Sequence, residues 1–137
     1  MIGIAVIECM RRTGVSIAAA SYWDLAKDRI REIRESPMGG MGHACELETS
    51  LQLHFQPGLV AMELAECNLV DPMVSFGTTM SFKDLLDFGP ITTGHDNAKT
   101  NPSGVRGDPT IATAAKGEQI VTAVLERMSQ FIKEYRG

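Results

Sequence analysis

Apolar residues recur at helical spacing near both ends of the chain. Ile4, Ile7 and Met10 share one face of a predicted helix over residues 2–12, and Gly14 is a natural stop for it. Near the other end, apolar residues return at every fourth position and predict a long terminal helix. They are Ile120, Val124, Met128 and Ile132. The pattern therefore places an amphipathic helix at each end of the sequence.

Between these helices the hydrophobic pattern changes. The run VSIAAASYW, residues 15–23, is apolar and partly β-branched, which is typical of a buried parallel strand. Residues 24–37 mix charged and apolar positions as an amphipathic helix does, with Leu25, Ile30 and Ile33 facing inward. A proline ends that pattern. A strand followed by a helix is thus predicted for the first third of the chain.

The later segments decide the fold class. A helix is predicted over residues 44–56, whereas residues 59–66 fit a strand or a helix equally well. The order of elements predicts an α/β layer fold in a single domain over residues 1–137. A parallel sheet needs several strands. Either this chain contains further strands, or strands from outside it complete the sheet. The candidate strands are residues 59–64, 73–80 and 90–93.

The composition limits the class of partner. Apolar residues make up 44% and charged residues 22% of the chain, which is enough apolar surface for a core. The net charge of −4 argues against nucleic acid and anionic membranes, since both attract clustered Lys and Arg. The first apolar run is too short to span a bilayer and lacks a signal peptide's charge order. Three cysteines without CxxC spacing fit reduced thiols, so a cytoplasmic protein is expected.

The stretch GGMGHACELETS, residues 39–50, carries the candidate chemistry. On a helix, Glu48 shares one stripe with three apolar residues, so its carboxylate is expected to be buried. That stripe is Ala44, Glu48, Leu51 and Phe55. A buried carboxylate needs a metal, a cation or several hydrogen-bond donors. Glu46 is turned away from Glu48 by about 200°, toward the amides of the helix N-terminus or toward solvent.

His43 can approach Glu48 only from the loop that enters the helix. Gly39, Gly40 and Gly42 allow such a turn, because glycine adopts backbone angles that other residues avoid. A His on the loop above a Glu on the helix is suited to acid/base catalysis. A helix that merely begins with polar residues fits the same spacing, so the pattern leaves a catalytic and a structural interpretation open.

Three further positions also allow two interpretations. His54 fits a helix end, where its ring would meet the negative end of the helix dipole. His95 with Asp96 fits a metal pair or a solvated loop. Trp23 ends the predicted strand, at the edge where open α/β sheets bind ligands, and fits a substrate wall or core packing.

Three motifs together resemble the creatininase family. HACELETS with the following LQLHFQPGLV is similar to the family's His-Ala-Gly-Glu-x-Glu-Thr-Ser segment, and SYWDL is similar to its strand-end Tyr-Trp. SGVRGDPTIATAAKGEQI resembles its Gly-x-x-Gly-Asp-Pro segment. The resemblance implies a three-layer α/β/α sandwich with a mostly parallel sheet. It also implies a metal-dependent amidohydrolase, often hexameric, that uses zinc or manganese.

The resemblance implies roles for particular residues. His43 would be the acid/base residue and Glu48 the carboxylate of the catalytic site. Trp23, Gly42 and Cys45 would line the substrate pocket, with Cys45 in place of the family's usual glycine. The family's Glu-x-His and Asn-Gly-His metal-binding segments do not occur here, so no metal ligand is predicted in this chain.

The chain is therefore predicted to correspond to the C-terminal half of a creatininase-like enzyme, incomplete relative to the full fold. The reaction would be hydrolysis of a cyclic amide or formamide C–N bond in a small molecule. A homo-oligomer, or a partner chain that supplies the N-terminal half, would complete the site. The alternative is a non-catalytic protein of this fold that acts in assembly or small-molecule binding. A tryptophan that some creatinine-hydrolysing members carry before the His motif is absent, which disfavours creatinine as the substrate.

Overall fold

A computed structural model describes residues 2–94 and 102–136. Six α-helices are present in these ranges: α1 Ile2–Thr13, α2 Tyr22–Leu25, α3 Lys27–Ile33, α4 Glu46–Phe55, α5 Pro72–Phe76 and α6 Ala114–Glu134. Two short strands, β1 Met41–His43 and β2 Arg106–Gly107, and three 3₁₀ turns, Pro57–Leu59, Met62–Leu64 and Pro109–Ile111, complete the described elements.

The two strands pair antiparallel across an irregular register. Met41 lies opposite Gly107, and His43 lies opposite Arg106, with a bulge between the two pairs. Gly42 allows this close pairing, because a Cβ on it would lie 2.4 Å from the carbonyl oxygen of Arg106. No parallel pair occurs among the residues that the structure describes. Mixed helix and strand content agrees with the α/β class, while the predicted parallel sheet is not seen.

The strand predicted over residues 15–23 is wrong for this chain. Residues 14–21 form no regular element, residues 15–20 are exposed, and Tyr22 already begins α2. A central strand is defined by hydrogen bonds to neighbouring strands, and the two strands of the described chain pair with each other instead. The candidate strands at 59–64, 73–80 and 90–93 are likewise turns, helix or irregular chain.

The core forms where α4 crosses α6. Gly117 permits the close crossing, since a Cβ there would lie 2.1 Å from the carbonyl oxygen of Ser50. Around it, buried side chains from several elements form one cluster. Its largest members are Ile30, Met41, Leu47, Leu86 and Ile120.

The predicted terminal helices are confirmed, but their apolar stripes are only partly covered. In α6 the exposed fraction rises from 1% at Ile120 to 65% at Ile132. In α1 no residue is buried, and the helix ends at Gly14, whose φ is +70°. Within the described ranges, no helix is both long and apolar enough to cross a membrane. The core thus uses the first half of α6 and leaves much apolar surface open.

Candidate functional site

The loop entering α4 folds the Glu48 carboxylate back over the first helical turn. Cys45 is the N-cap residue, and Ala44 before it adopts a left-handed φ of +48°. This turn directs the backbone N–H of Ala44 at Oε2 of Glu48, which accepts its hydrogen bond at 2.5 Å. Glu48 is therefore held by a helix N-terminal contact that resembles the reciprocal arm of a capping box.

His43 and Glu48 come together as predicted, but at the surface. Nδ1 of His43 lies 3.8 Å from Oε2 of Glu48, with 70% of the His43 side chain and 35% of the Glu48 side chain exposed. The expected burial of Glu48 in an apolar stripe is wrong. The inward face of α4 carries Leu47 and Ser50 instead, and Phe55 at the end of the expected stripe is exposed.

Glu46 is the buried carboxylate of the motif, with 1% of its surface exposed. It accepts hydrogen bonds from the backbone N–H groups of Glu35 and Ser36 at 3.0 and 2.9 Å, and from Nζ of Lys116 at 2.8 Å. Burial alone would raise the pKa of Glu46, but the bonds from Lys116 and Ser36 outweigh it and lower the pKa. The expected position of Glu46, toward the amides of the helix N-terminus or toward solvent, is wrong, whereas the prediction that the two glutamates face different ways is confirmed.

Lys116 is a buried cation at the start of α6. Besides Glu46, its Nζ contacts the carboxylate of Glu35 at 3.0 Å and the carbonyl oxygen of Ile111 at 2.8 Å. Burial opposes its charge, but hydrogen bonds to Glu46 and Glu35 raise its pKa above the ordinary value. The pair therefore remains ionised and joins three segments beneath the His43 loop.

Asp84 is a second buried carboxylate, fully shielded from solvent. It accepts from the backbone N–H of Gly39 at 3.1 Å and pairs with the guanidinium of Arg34 at 2.7 Å. Together with Glu46 it holds the backbone from residue 35 to residue 39 at several points. The sequence reasoning missed Asp84 and Lys116, because no local spacing reveals a buried pair formed by distant segments.

Of the predicted pocket residues, Gly42 and Cys45 flank the pair in the loop that enters α4, and Trp23 lies in α2. Cys45 is fully buried, and burial raises the pKa of its thiol to about 11, so the thiol is protonated at neutral pH. Burial, with the charges of Glu48 and Cys45, raises the pKa of Tyr22 to about 12, so its hydroxyl is protonated at neutral pH. Trp23 packs edge-to-face on Tyr22 at 4.9 Å. Its Nε1 is buried without a hydrogen-bond partner in the described part of the chain.

These positions leave the substrate-binding roles of Trp23, Gly42 and Cys45 as predictions. Cys45 faces the core beneath the turn, and the lack of a side chain on Gly42 is already explained by strand pairing. His54 lies in the last turn of α4, as predicted, against the ring of Phe55. His95 and Asp96 lie outside the described residues.

The described residues do not provide a metal site. No group of three His, Cys, Asp or Glu side chains converges anywhere in residues 2–94 and 102–136. Glu48 meets His43 at 3.8 Å and the thiol of Cys45 at 4.0 Å through Oε2, and that same oxygen already accepts from Ala44. This arrangement does not supply the three or four converging ligands that protein zinc sites use.

The family is shown by direct comparison. The family described as creatininase, creatinine amidohydrolase, matches residues 1–132. The chain therefore belongs to the creatininase family. No curated protein matches it.

Solved structures agree with this assignment. A manganese creatininase has a TM-score of 0.64 and 25% identity over 99% of this chain and 50% of its own length. A creatinine amidohydrolase structure has a TM-score of 0.64 and 26% identity, over 99% of this chain and 50% of its own length. A creatininase variant complexed with creatine has a TM-score of 0.64 and 26% identity, over 97% of this chain and 49% of its own length. The chain spans about half the length of each of these structures.

Proposed function

We propose that this chain is the acid/base half of a creatininase-like amidohydrolase that cleaves the C–N bond of a cyclic amide or a formamide. The observation that carries the proposal is the approach of His43 to Glu48 at 3.8 Å, at the position of the family motif. His43 presents most of its ring to solvent, where a small substrate would reach it.

The pair is suited to move one proton. A carboxylate beside Nδ1 favours a proton on that nitrogen, leaving Nε2 of His43 to exchange a proton with substrate. When water adds to the amide carbonyl, the leaving nitrogen needs a proton before the C–N bond can break. Nε2 of His43 takes this proton from the attacking water and then delivers it to the leaving nitrogen as the C–N bond breaks, while Glu48 lies beside Nδ1.

We propose that the reaction depends on a metal, but we assign no metal ligand to the residues of this chain. Two of the similar structures are described as manganese and zinc–zinc creatininases. The described residues do not converge on a metal, so we place the metal ligands in the part of the fold that this chain does not span. The three-layer sandwich with a mostly parallel sheet would likewise require that part.

A non-catalytic member of the family is the second candidate. It is favoured by one observation, the lack of three converging ligand side chains in the described ranges. Such a protein would keep the fold for assembly or for binding a small molecule, and His43 would then affect binding without turnover.

The decisive experiment measures hydrolysis of creatinine and a panel of formamides with added Zn²⁺ or Mn²⁺. The chain is assayed alone and co-expressed with the half of the manganese creatininase that it does not span. We expect His43→Ala to lower the rate by about 10²-fold or more. His54→Ala is the matched control, because His54 lies at the far end of α4. Absence of turnover in every arm, with ligand binding retained, would favour the non-catalytic protein.

A further inference from the structure

The glycine-rich loop that leads into β1 is fastened to one buried carboxylate. Asp84, fully shielded from solvent, accepts the backbone N–H of Gly39 at 3.1 Å through Oδ2 and that of Leu86 at 3.0 Å through Oδ1. Beside it, the N–H of Leu85 donates to the carbonyl oxygen of Met41, the first residue of β1, at 2.7 Å. The chain around Asp84 therefore holds the loop at Gly39 and β1 at its start.

Arg34 extends this attachment to the beginning of the loop. Only 11% of its side chain is exposed, and its guanidinium pairs with Oδ2 of Asp84 at 2.7 Å. The same guanidinium donates from Nε to the carbonyl oxygen of Ser36 at 2.6 Å and from Nη2 to that of Pro37. A buried cation needs its counter-charge, so these two bonds depend on Asp84 as well. We call Arg34 and Asp84 the loop clamp.

The turn that brings His43 over Glu48 needs support from both sides. It is made at Ala44, whose φ of +48° is unfavourable for a residue with a Cβ and persists only where the surrounding structure holds it. On the side of α4, Glu46 is held by Lys116 at 2.8 Å. On the side of β1, the loop clamp holds the chain. The 3.8 Å approach of His43 to Glu48 therefore depends on two separate anchors.

We infer that Asp84 is a positioning residue for the acid/base pair. It acts through the backbone of the loop, and its printed-sequence distance from the motif hides this role. The inference rests on the proposed function, because it takes His43 and Glu48 as the pair that moves the proton. A carboxylate that only stabilised the fold would change the free energy of unfolding. A positioning residue also changes the state of His43 in molecules that remain folded.

The test substitutes Asp84 in the full chain. Asp84→Ala removes both acceptor oxygens and the counter-charge of Arg34, so hydrogen exchange at the Gly39 amide should speed up by about tenfold or more. Asp28→Ala is the matched control, since it also removes an Asp–Arg ion pair, at 2.5 Å to Arg127, but at the surface. Asp84→Asn keeps the volume and one acceptor, and it replaces Asp84→Ala if that variant does not fold.

The decisive measurement is the tautomer of the neutral His43 ring. Ring-nitrogen NMR shifts report it at about pH 8.5, above the ordinary titration of histidine. In the wild type, the carboxylate beside Nδ1 should favour the Nδ1–H form. We expect that preference to be lost in Asp84→Ala and kept in Asp28→Ala. His54, in the last turn of α4, is the internal control and should not change.

The outcomes separate this inference from the proposed function. A folded Asp84 variant whose His43 keeps the wild-type tautomer would overturn the positioning role. A wild type without the Nδ1–H preference would remove the pair itself and overturn the inference with it. Loss of the preference in the variant, with no amide hydrolysis in any arm of the assay above, would leave the positioning role standing and remove the proposed function. Hydrolysis with an unchanged tautomer would do the reverse.

Discussion

The ammonium of Lys116 donates a 2.8 Å hydrogen bond to the carboxylate of Glu46, although 70 residues separate the two in sequence. The bond joins the first turns of α4 and α6. Because Glu46 also accepts from the backbone of residues 35 and 36, the same carboxylate anchors the chain that leads into the glycine loop. The bond between Lys116 and Glu46 thus helps to hold the loop that carries His43, although neither residue belongs to the proposed catalytic pair.

Removing the cation should destabilise the protein. Lys116→Met leaves the Glu46 carboxylate buried without its counter-charge, so we expect a loss of about 3 kcal/mol in the free energy of unfolding. Urea denaturation followed by circular dichroism measures it. Lys133→Met, the same substitution at an exposed position near the end of α6, should change stability little. Equal effects of the two substitutions would contradict a structural role for the pair.

The contribution of the Lys116–Glu46 pair to the free energy of unfolding should depend on pH. The folded pKa of Glu46 is lowered, so its contribution is present above its ordinary value of 4.5 and is lost as the pH falls through the folded pKa. The folded pKa of Lys116 is raised, so its contribution is present below 10.5 and is lost as the pH rises through the folded pKa.

The stability difference between the wild type and Lys116→Met should therefore be largest between those two values and smaller on either side. Urea unfolding of both proteins from about pH 3 to about pH 11 tests this. A difference that stays constant across the range would show that the substitution acts through packing alone.

The crossing of α4 and α6 leaves no room for a side chain at Gly117. In a helix, Gly→Ala ordinarily stabilises by about 1 kcal/mol. At Gly117 the new methyl group would meet the carbonyl oxygen of Ser50 at 2.1 Å, so we expect a net loss of at least about 1 kcal/mol from forced separation of the helices. Gly3→Ala in α1 meets nothing within 4 Å and should not lower stability. Thermal unfolding of the two variants compares them directly.

The three cysteines should differ in reactivity. Cys45 is fully buried, and its pKa of about 11 leaves it protonated near neutral pH. Cys9 and Cys67 are exposed, although burial and Asp108 raise the pKa of Cys67. With iodoacetamide at about pH 8, mass spectrometry should find Cys9 labelled first, Cys67 more slowly and Cys45 only after unfolding. Rapid labelling of native Cys45 would show that the turn beneath His43 opens.

Hydrophobic spacing predicts helices well in this protein, because a helix satisfies its own backbone hydrogen bonds. That is why α1 and α6 appear where the pattern places them, including the stop at Gly14. A strand has no such independence. Residues 15–23 have a strand's composition, but residues 15–21 are irregular and Tyr22 begins α2, since no neighbouring strand is available in the described chain.

The same division applies to the site. The sequence by itself determined the family motif, the approach of His43 to Glu48 and the separation of the two glutamates, because all three follow from a short loop and one helical turn. Only the tertiary structure decided which glutamate is buried. A fixed helical angle sets how far apart Glu46 and Glu48 point, but the position of α6 sets which direction is inward. Lys116 comes from that distant helix, and so Glu46 is the carboxylate buried in the interior.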